Sequence, residues 1–145
     1  TRFIELAGEI NSSMPKYVVS KCIGMMNKDH KTIMGSKILI LGISYKKNID
    51  DMRESPSVEI MEILSNLGAS LSYHDPHVPV FPKMRDHNFN MKSININSNK
   101  LKNFDLVLIA TDHDLVDYEL VLKNANLIVD TRGVYKKSYK KVLRA

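Results

Sequence analysis

Lys37-Ile-Leu-Ile-Leu-Gly-Ile-Ser-Tyr-Lys-Lys-Asn-Ile-Asp-Asp-Met-Arg-Glu-Ser-Pro56 is the stretch that decides the fold. From Ile38 to Ile43 nearly every position is apolar. A strand covered on both faces reads this way, as in a parallel sheet, whereas a half-exposed strand alternates. The chain then passes Gly42 into a charged loop and reaches Ser55-Pro56. Ser is a favoured helix N-cap and Pro a favoured first helical residue, so a helix is predicted to begin there. In an open α/β sheet, ligands lie at the carboxyl ends of strands. Lys46, Lys47 and Arg53 occupy that position, together with Asp50 and Asp51.

Downstream, Val58, Met61, Leu64 and Leu67 mark the inner face of the helix, and Gly68 is placed to end it. Ser70 to Tyr73 reads as a second strand, stopped by Asp75-Pro76. Asp105 to Ala110 is a buried strand followed by Thr111-Asp112-His113. Tyr118 to Lys123 is a short helix, and Leu127 to Val129 a last strand ending at Asp130-Thr131-Arg132-Gly133. Val78 to Lys102 is the least legible part, with a short strand expected around Ile94 and Ile96. Tyr135 to Ala145 reads as a basic, solvated tail. Strands alternating with helices predict an α/β, Rossmann-like, doubly wound and mostly parallel sheet.

Upstream, Phe3 to Asn27 has helical spacing, with Phe3, Ala7, Ile10, Met14, Val18, Cys22 and Met25 on one stripe. Pro15 is predicted to kink this helix or to separate it from a second one starting near Ser12-Ser13. The long helix has no strand before it, so it reads as an appendage that packs on another domain or subunit. Lys28 to Ser36 is the linker.

A chain of 145 residues fits one domain with an appendage. It does not open with Met, and the reading is of a piece of a longer protein. Its net charge of +5 suits an anionic ligand or a nucleic-acid partner without choosing between them. No apolar run approaches the roughly 18 residues of a membrane span, and the start lacks a signal-peptide pattern. The single cysteine excludes an internal disulfide and fits a reducing cytoplasm. Cys22 sits on the apolar stripe and reads as core.

In a parallel sheet all strand carboxyl ends share one edge. Lys46, Arg53, Thr111, His113 and Arg132 are predicted on it, and phosphate is the partner that suits its cations. Lys supplies a compact charge, and the Arg fork pairs with two oxygens at once. Tyr45 adds a ring face or a hydroxyl. Plainer roles compete: Lys46 and Lys47 as solvated lysines, Asp50 and Asp51 pairing with Arg53, Asp130 pairing with Arg132. His113 reads as a hydrogen-bonding residue before a catalyst, and His74, His77 and His113 lack metal-ligand spacing. The dinucleotide fingerprint Gly-x-Gly-x-x-Gly is only half met at Gly42-Ile-Ser-Tyr-Lys-Lys. Bulky side chains keep the backbone from closing on a pyrophosphate, so the grip is expected from side chains. A second class of function is a basic α/β module for nucleic acid or a protein partner, motivated by Lys136, Lys137, Lys140, Lys141 and Arg144. No interleaved aromatic platform for bases accompanies them.

Gly42-x-x-Tyr45-Lys46-x-x-x-Asp50-Asp51-x-Arg53-x-Ser55-Pro56 resembles a signature of the UDP-glucose/GDP-mannose dehydrogenase family. Tyr73-His74-Asp75-Pro76, Thr111-Asp112-His113 and Val129-Asp130-Thr131-Arg132 follow in the family's order, and the leading helix is similar to the end of its central dimer-forming helix. The opening Thr1-Arg-Phe-Ile-Glu-Leu-Ala-Gly-Glu-Ile-Asn most resembles the branch that oxidises UDP-N-acetylhexosamines. The resemblance implies that residues 1–34 are the end of the dimerisation helix and a linker. Residues 35–145 would be the UDP-sugar-binding Rossmann-like domain. The complete enzyme would oxidise the sugar C6 alcohol in two NAD-dependent steps through a covalent cysteine adduct. The Gly-Gly-x-Cys motif and the amino-terminal NAD domain are not in this sequence, so the chain alone is expected to bind and not to oxidise. By motif match Tyr45 and Lys46 would touch the UDP-sugar, Arg132 its phosphates, and Arg53 the NAD pyrophosphate. The partners implied are a UDP-sugar, the enzyme's other domains and a second copy through the leading helix, with no membrane and no nucleic acid.

Overall fold

The structure, a computed structural model, describes residues 2–84 and 89–145, apart from the side chains of residues 2–4 and 6–12. The helix α1 (Arg2–Lys28) leads into β1 (Lys37–Leu41), α2 (Pro56–Asn66) and β2 (Ser70–His74). Then come α3 (Ser98–Lys102), β3 (Leu106–Ile109), α4 (Tyr118–Asn124), β4 (Ile128–Asp130) and β5 (Val142–Arg144). The strands form one sheet in the order β2-β1-β3-β4-β5, parallel at every pairing.

The unbroken apolar runs are explained by two covered faces. Ile38 and Ile40 of β1, Leu106 and Leu108 of β3, and Val129 of β4 pack under α1 and α2. Their neighbours Leu39, Leu41, Val107, Ile109 and Ile128 pack under α3 and α4. Successive strand side chains point to opposite faces, so only a sheet with helices on both sides buries every position of such a run. The doubly wound α/β class predicted from the sequence is therefore the fold observed.

Helix ends follow local chemistry. The helix α2 starts at Pro56 as predicted and ends with Gly68 in the left-handed conformation, φ +96°. Gly68 N–H donates to Ser65 O and Ala69 N–H to Leu64 O, which satisfies two terminal carbonyls. Asn97 caps α3 by accepting from Lys100 N–H, and Asp117 caps α4 by accepting from Leu120 N–H.

Four expectations are corrected. Of the two outcomes expected at Pro15, a kink or a second helix, the second helix does not form, since a single helix runs from Arg2 to Lys28 with Pro15 inside it. Val18, Val19, Cys22, Met25 and Met26 anchor its second half in the core, which offsets the lost backbone hydrogen bond. For the same reason α1 is no appendage past Pro15; the earlier part of its apolar stripe, from Phe3 to Ile10, lies outside the described side chains. The stretch around Ile94 and Ile96 is not a strand; Ile94 N–H bonds Tyr73 O beside β2, and the nearest pairing is an isolated bridge of Val80 with Lys92. The basic tail is structured, because Val142–Arg144 adds β5 to the sheet beside β4.

Candidate functional site

The parallel sheet brings its carboxyl ends together, and an open cleft of about 810 Å³ lies there. Tyr45 and Lys46 reach it from the loop after β1, and Thr131 and Arg132 from the end of β4. Ser55, Pro56 and Ser57 at the start of α2 form a second wall, and Met14, Pro15 and Val18 of α1 a third. Lys46 and Arg132 thus share one cleft although 86 residues apart in sequence. Glu54 and Glu59 also line it, so the lining includes carboxylates that can accept from hydroxyls.

The cations differ in how they are held. Arg132 Nε donates to Ala110 O at 2.9 Å, which leaves the outer guanidinium nitrogens for a ligand. Asp130 is not its ion-pair partner; that carboxylate accepts from the backbone N–H groups of Arg132 and Tyr135. Lys46 has no carboxylate partner among the described residues. Lys47 lies 3.9 Å from Asp114 and does not line the cleft. Arg53 is also outside the cleft lining. It pairs with Asp51 through two side-chain bonds of 3.1 and 3.0 Å and is 88% exposed. The Arg53 guanidinium holds the Asp51 carboxyl down at about 2. This is the Asp51 half of the pairing weighed from the sequence; among the described residues no such bond joins Asp50 to Arg53.

Below the cleft lies a buried polar cluster that the sequence reading did not assemble. His113 Nδ1 accepts from Asn48 N–H at 2.8 Å, so Nε2 carries the ring proton and donates to Asp75 Oδ2 at 2.8 Å. Asp75 Oδ2 also accepts from Ile43 N–H, and Oδ1 from His77 N–H. Burial pushes the Asp75 carboxyl up, but the bonds from His113, Ile43 and His77 outweigh it and hold its pKa below the usual value. Thr111 Oγ1 donates to Ser44 O, Ser44 Oγ to Lys46 O, and Ser55 Oγ to Ile43 O. Thr111 and His113, grouped with the cations by sequence, therefore hold the loop from beneath and do not line the cleft.

Ser44 Oγ lies 3.2 Å from His113 Nε2, which invites comparison with a nucleophile triad. A relay needs the hydroxyl and the carboxylate on opposite ring nitrogens. Here both meet Nε2, and Ser44, His113 and Asp75 are at most 1% exposed. Cys22 is fully buried, and burial pushes its thiol up to about 12, so it is no nucleophile. No metal-binding group of His, Cys, Asp or Glu occurs among the described residues. Ser55 surprises: its hydroxyl is spent on Ile43 O and does not cap α2. The first turn of α2 thus borders the cleft without a side-chain cap, adding the partial positive charge of a helix start.

A family profile described as "UDP-glucose/GDP-mannose dehydrogenase family, UDP binding domain" matches residues 39–137. The chain is 34% identical over 113 residues to a UDP-N-acetyl-D-mannosamine dehydrogenase of Methanococcus maripaludis, covering 78% of this chain and 24% of that protein. It is 31% identical to the solved UDP-N-acetyl-mannosamine dehydrogenase Cap5O of Staphylococcus aureus, with a TM-score of 0.66 over 94% of this chain and 31% of that one. The UDP-D-ManNAc dehydrogenase of Pyrococcus horikoshii matches in fold, with a TM-score of 0.77 at 23% identity over 99% of this chain and 33% of that one. The chain spans about a quarter to a third of the length of these proteins.

Proposed function

Because the chain belongs to the UDP-glucose/GDP-mannose dehydrogenase family, we propose that residues 35–145 are the UDP-sugar-binding domain of an NAD-dependent nucleotide-sugar 6-dehydrogenase. UDP-N-acetylglucosamine or UDP-N-acetylmannosamine is the substrate, oxidised at C6 to the uronic acid. What supports this function is one convergence: Lys46, Arg132 and the uncapped start of α2 border the same cleft. A compact ammonium, a planar fork and a helix start are complementary to the charge of a diphosphate. Tyr45 contributes a ring face or hydroxyl, and Glu54 and Glu59 suit the hydroxyls of a ribose or hexose.

NAD would accept the hydride, held mainly by an amino-terminal domain. Arg53 is exposed and has one carboxylate partner among the described residues, which fits a guanidinium that reaches a pyrophosphate across a domain cleft. The only cysteine is in the core, so these 145 residues bind substrate and do not oxidise it by themselves. Residues 1–34 are proposed as the end of a helix through which two copies pair, followed by a linker. No described helix is long and apolar enough to cross a membrane; the cytoplasm is the compartment proposed.

Calorimetric titration of the chain with UDP and UDP-N-acetylglucosamine tests the site. Saturable binding that Lys46→Ala weakens is expected. A folded wild-type chain that binds neither overturns the assignment.

A further inference from the structure

We propose that His113 is a positioning residue: neutral and protonated at Nε2, it holds the Tyr45–Lys46 loop in the shape that receives the nucleotide sugar. That role presupposes the nucleotide-sugar site above. His113 does not itself line the cleft, so it acts through the loop.

The loop needs holding. Asn48 has φ +64°, a conformation L-residues seldom adopt unaided. Its N–H points at His113 Nδ1, and its side chain exchanges bonds with Asp114 N–H and Asp114 Oδ2. At the other end Ser44 is held by Thr111 Oγ1 and lies against His113 Nε2. Tyr45 and Lys46 thus sit between two tethers that both meet His113. Asp75 selects the tautomer, because its carboxylate takes the Nε2 proton as a hydrogen bond and leaves Nδ1 free to accept. If Nδ1 is removed, the Asn48 N–H loses its partner at the partly buried foot of the loop and the left-handed turn loses its support. The loop then occupies other shapes, and apparent affinity falls by the fraction of time the binding shape is lost.

Two near-isosteric variants separate this role from simple packing. In His113→Asn the amide oxygen falls near the Nδ1 position and still accepts from Asn48. In His113→Gln the amide reaches the Nε2 position and still serves Asp75, but nothing stands at Nδ1. Both lose the ring contact with His77, 4.6 Å between centroids. Titration of the folded variants with UDP-N-acetylglucosamine should show His113→Gln weakened at least about tenfold, about 1.4 kcal/mol, and His113→Asn no more than about threefold. Equal affinities for the two variants, with wild-type binding that still depends on Lys46, overturn the positioning role and leave the site standing. No binding by folded wild type overturns both. If the variants do not fold, the ¹⁵N shifts of His113 in the wild type decide: a bare Nδ1 and a protonated Nε2 support the role, and the opposite tautomer overturns it.

Discussion

Gly42→Ala tests whether the carboxyl end of β1 is built around a missing side chain. Gly42 has φ +79°, and an alanine pays roughly 1–2 kcal/mol for that left-handed backbone. A second cost is steric. A Cβ on Gly42 would stand 2.3 Å from Thr111 O and 2.6 Å from Thr111 Cβ. The closest of these atoms is backbone, so no rotamer change relieves the overlap. Moving the two segments apart would stretch the bonds from Ala110 N–H and Thr111 N–H to Leu41 O, at 2.9 and 3.2 Å. Overpacking of this kind costs about 1–3 kcal/mol, giving roughly 2–5 kcal/mol in all. Gly133→Ala separates the two costs: its φ is +67°, but nothing lies within 4 Å of its Cβ, so only the backbone cost of roughly 1–2 kcal/mol applies. Urea unfolding of both variants measures the difference. Because Thr111 holds the Ser44 carbonyl, Gly42→Ala should also weaken UDP binding, and Gly133→Ala less so. If the two variants lose equal stability, the steric reasoning is refuted.

Other outcomes follow from the same structure. Arg132→Ala and Lys46→Ala should each weaken UDP binding roughly 10- to 100-fold, as loss of a charged hydrogen bond does, and Arg132→Lys should not restore it, since the fork geometry is lost; calorimetry that finds full rescue by lysine contradicts bidentate contact. The lowered Asp75 pKa contributes stability that is present above the usual carboxylate value of about 3.9 and lost as pH falls through the native value. The stability gap between wild type and Asp75→Asn should therefore narrow on acidification below that value, and a gap that stays constant in acid urea titrations would falsify the assignment. Cys22 should resist thiol reagents in the native chain and react fully in urea, and rapid native labelling would contradict its burial. Gly24 sits exposed inside α1 with open space at its Cβ, so Gly24→Ala should stabilise by about 0.5–1 kcal/mol in thermal melts.

The parts of this fold that were legible are those in which one residue's chemistry settles the local structure. Pro56 and Gly68 bracket α2 because one cannot donate and the other tolerates positive φ. Apolar runs give β1 and β3 because both faces are covered. The strand β5 was hidden because Val142–Arg144 is short and at the sheet edge, where half-exposed residues show no run. The bracing of the site was hidden for another reason. Asp75, His113 and Asn48 come from three loops, and their meeting depends on strand register that spacing does not encode. His113 fell at a strand end in sequence, but nothing local marks whether such a side chain turns into the cleft or beneath it.

The loop between β1 and α2 explains why the candidate grip consists of side chains. A glycine fingerprint lets backbone N–H groups close directly on a phosphate, and the turn is short enough to need little support. Residues 43–55 form a longer excursion with bulky residues at its tip, and a chain of that length needs tethers. Its tethers are mostly bonds from the flanks: Asp75 to Ile43, Thr111 to Ser44, His113 and Asp114 to Asn48. Ser55 adds a bond back to Ile43 from within. These fix the backbone and leave Tyr45 and Lys46 facing outward into the cleft. Support of the loop and the proposed ligand contact are thus divided between different residues. Substitutions at Tyr45 or Lys46 should change affinity with little effect on folding, and substitutions at Asp75 or Thr111 should do the reverse first.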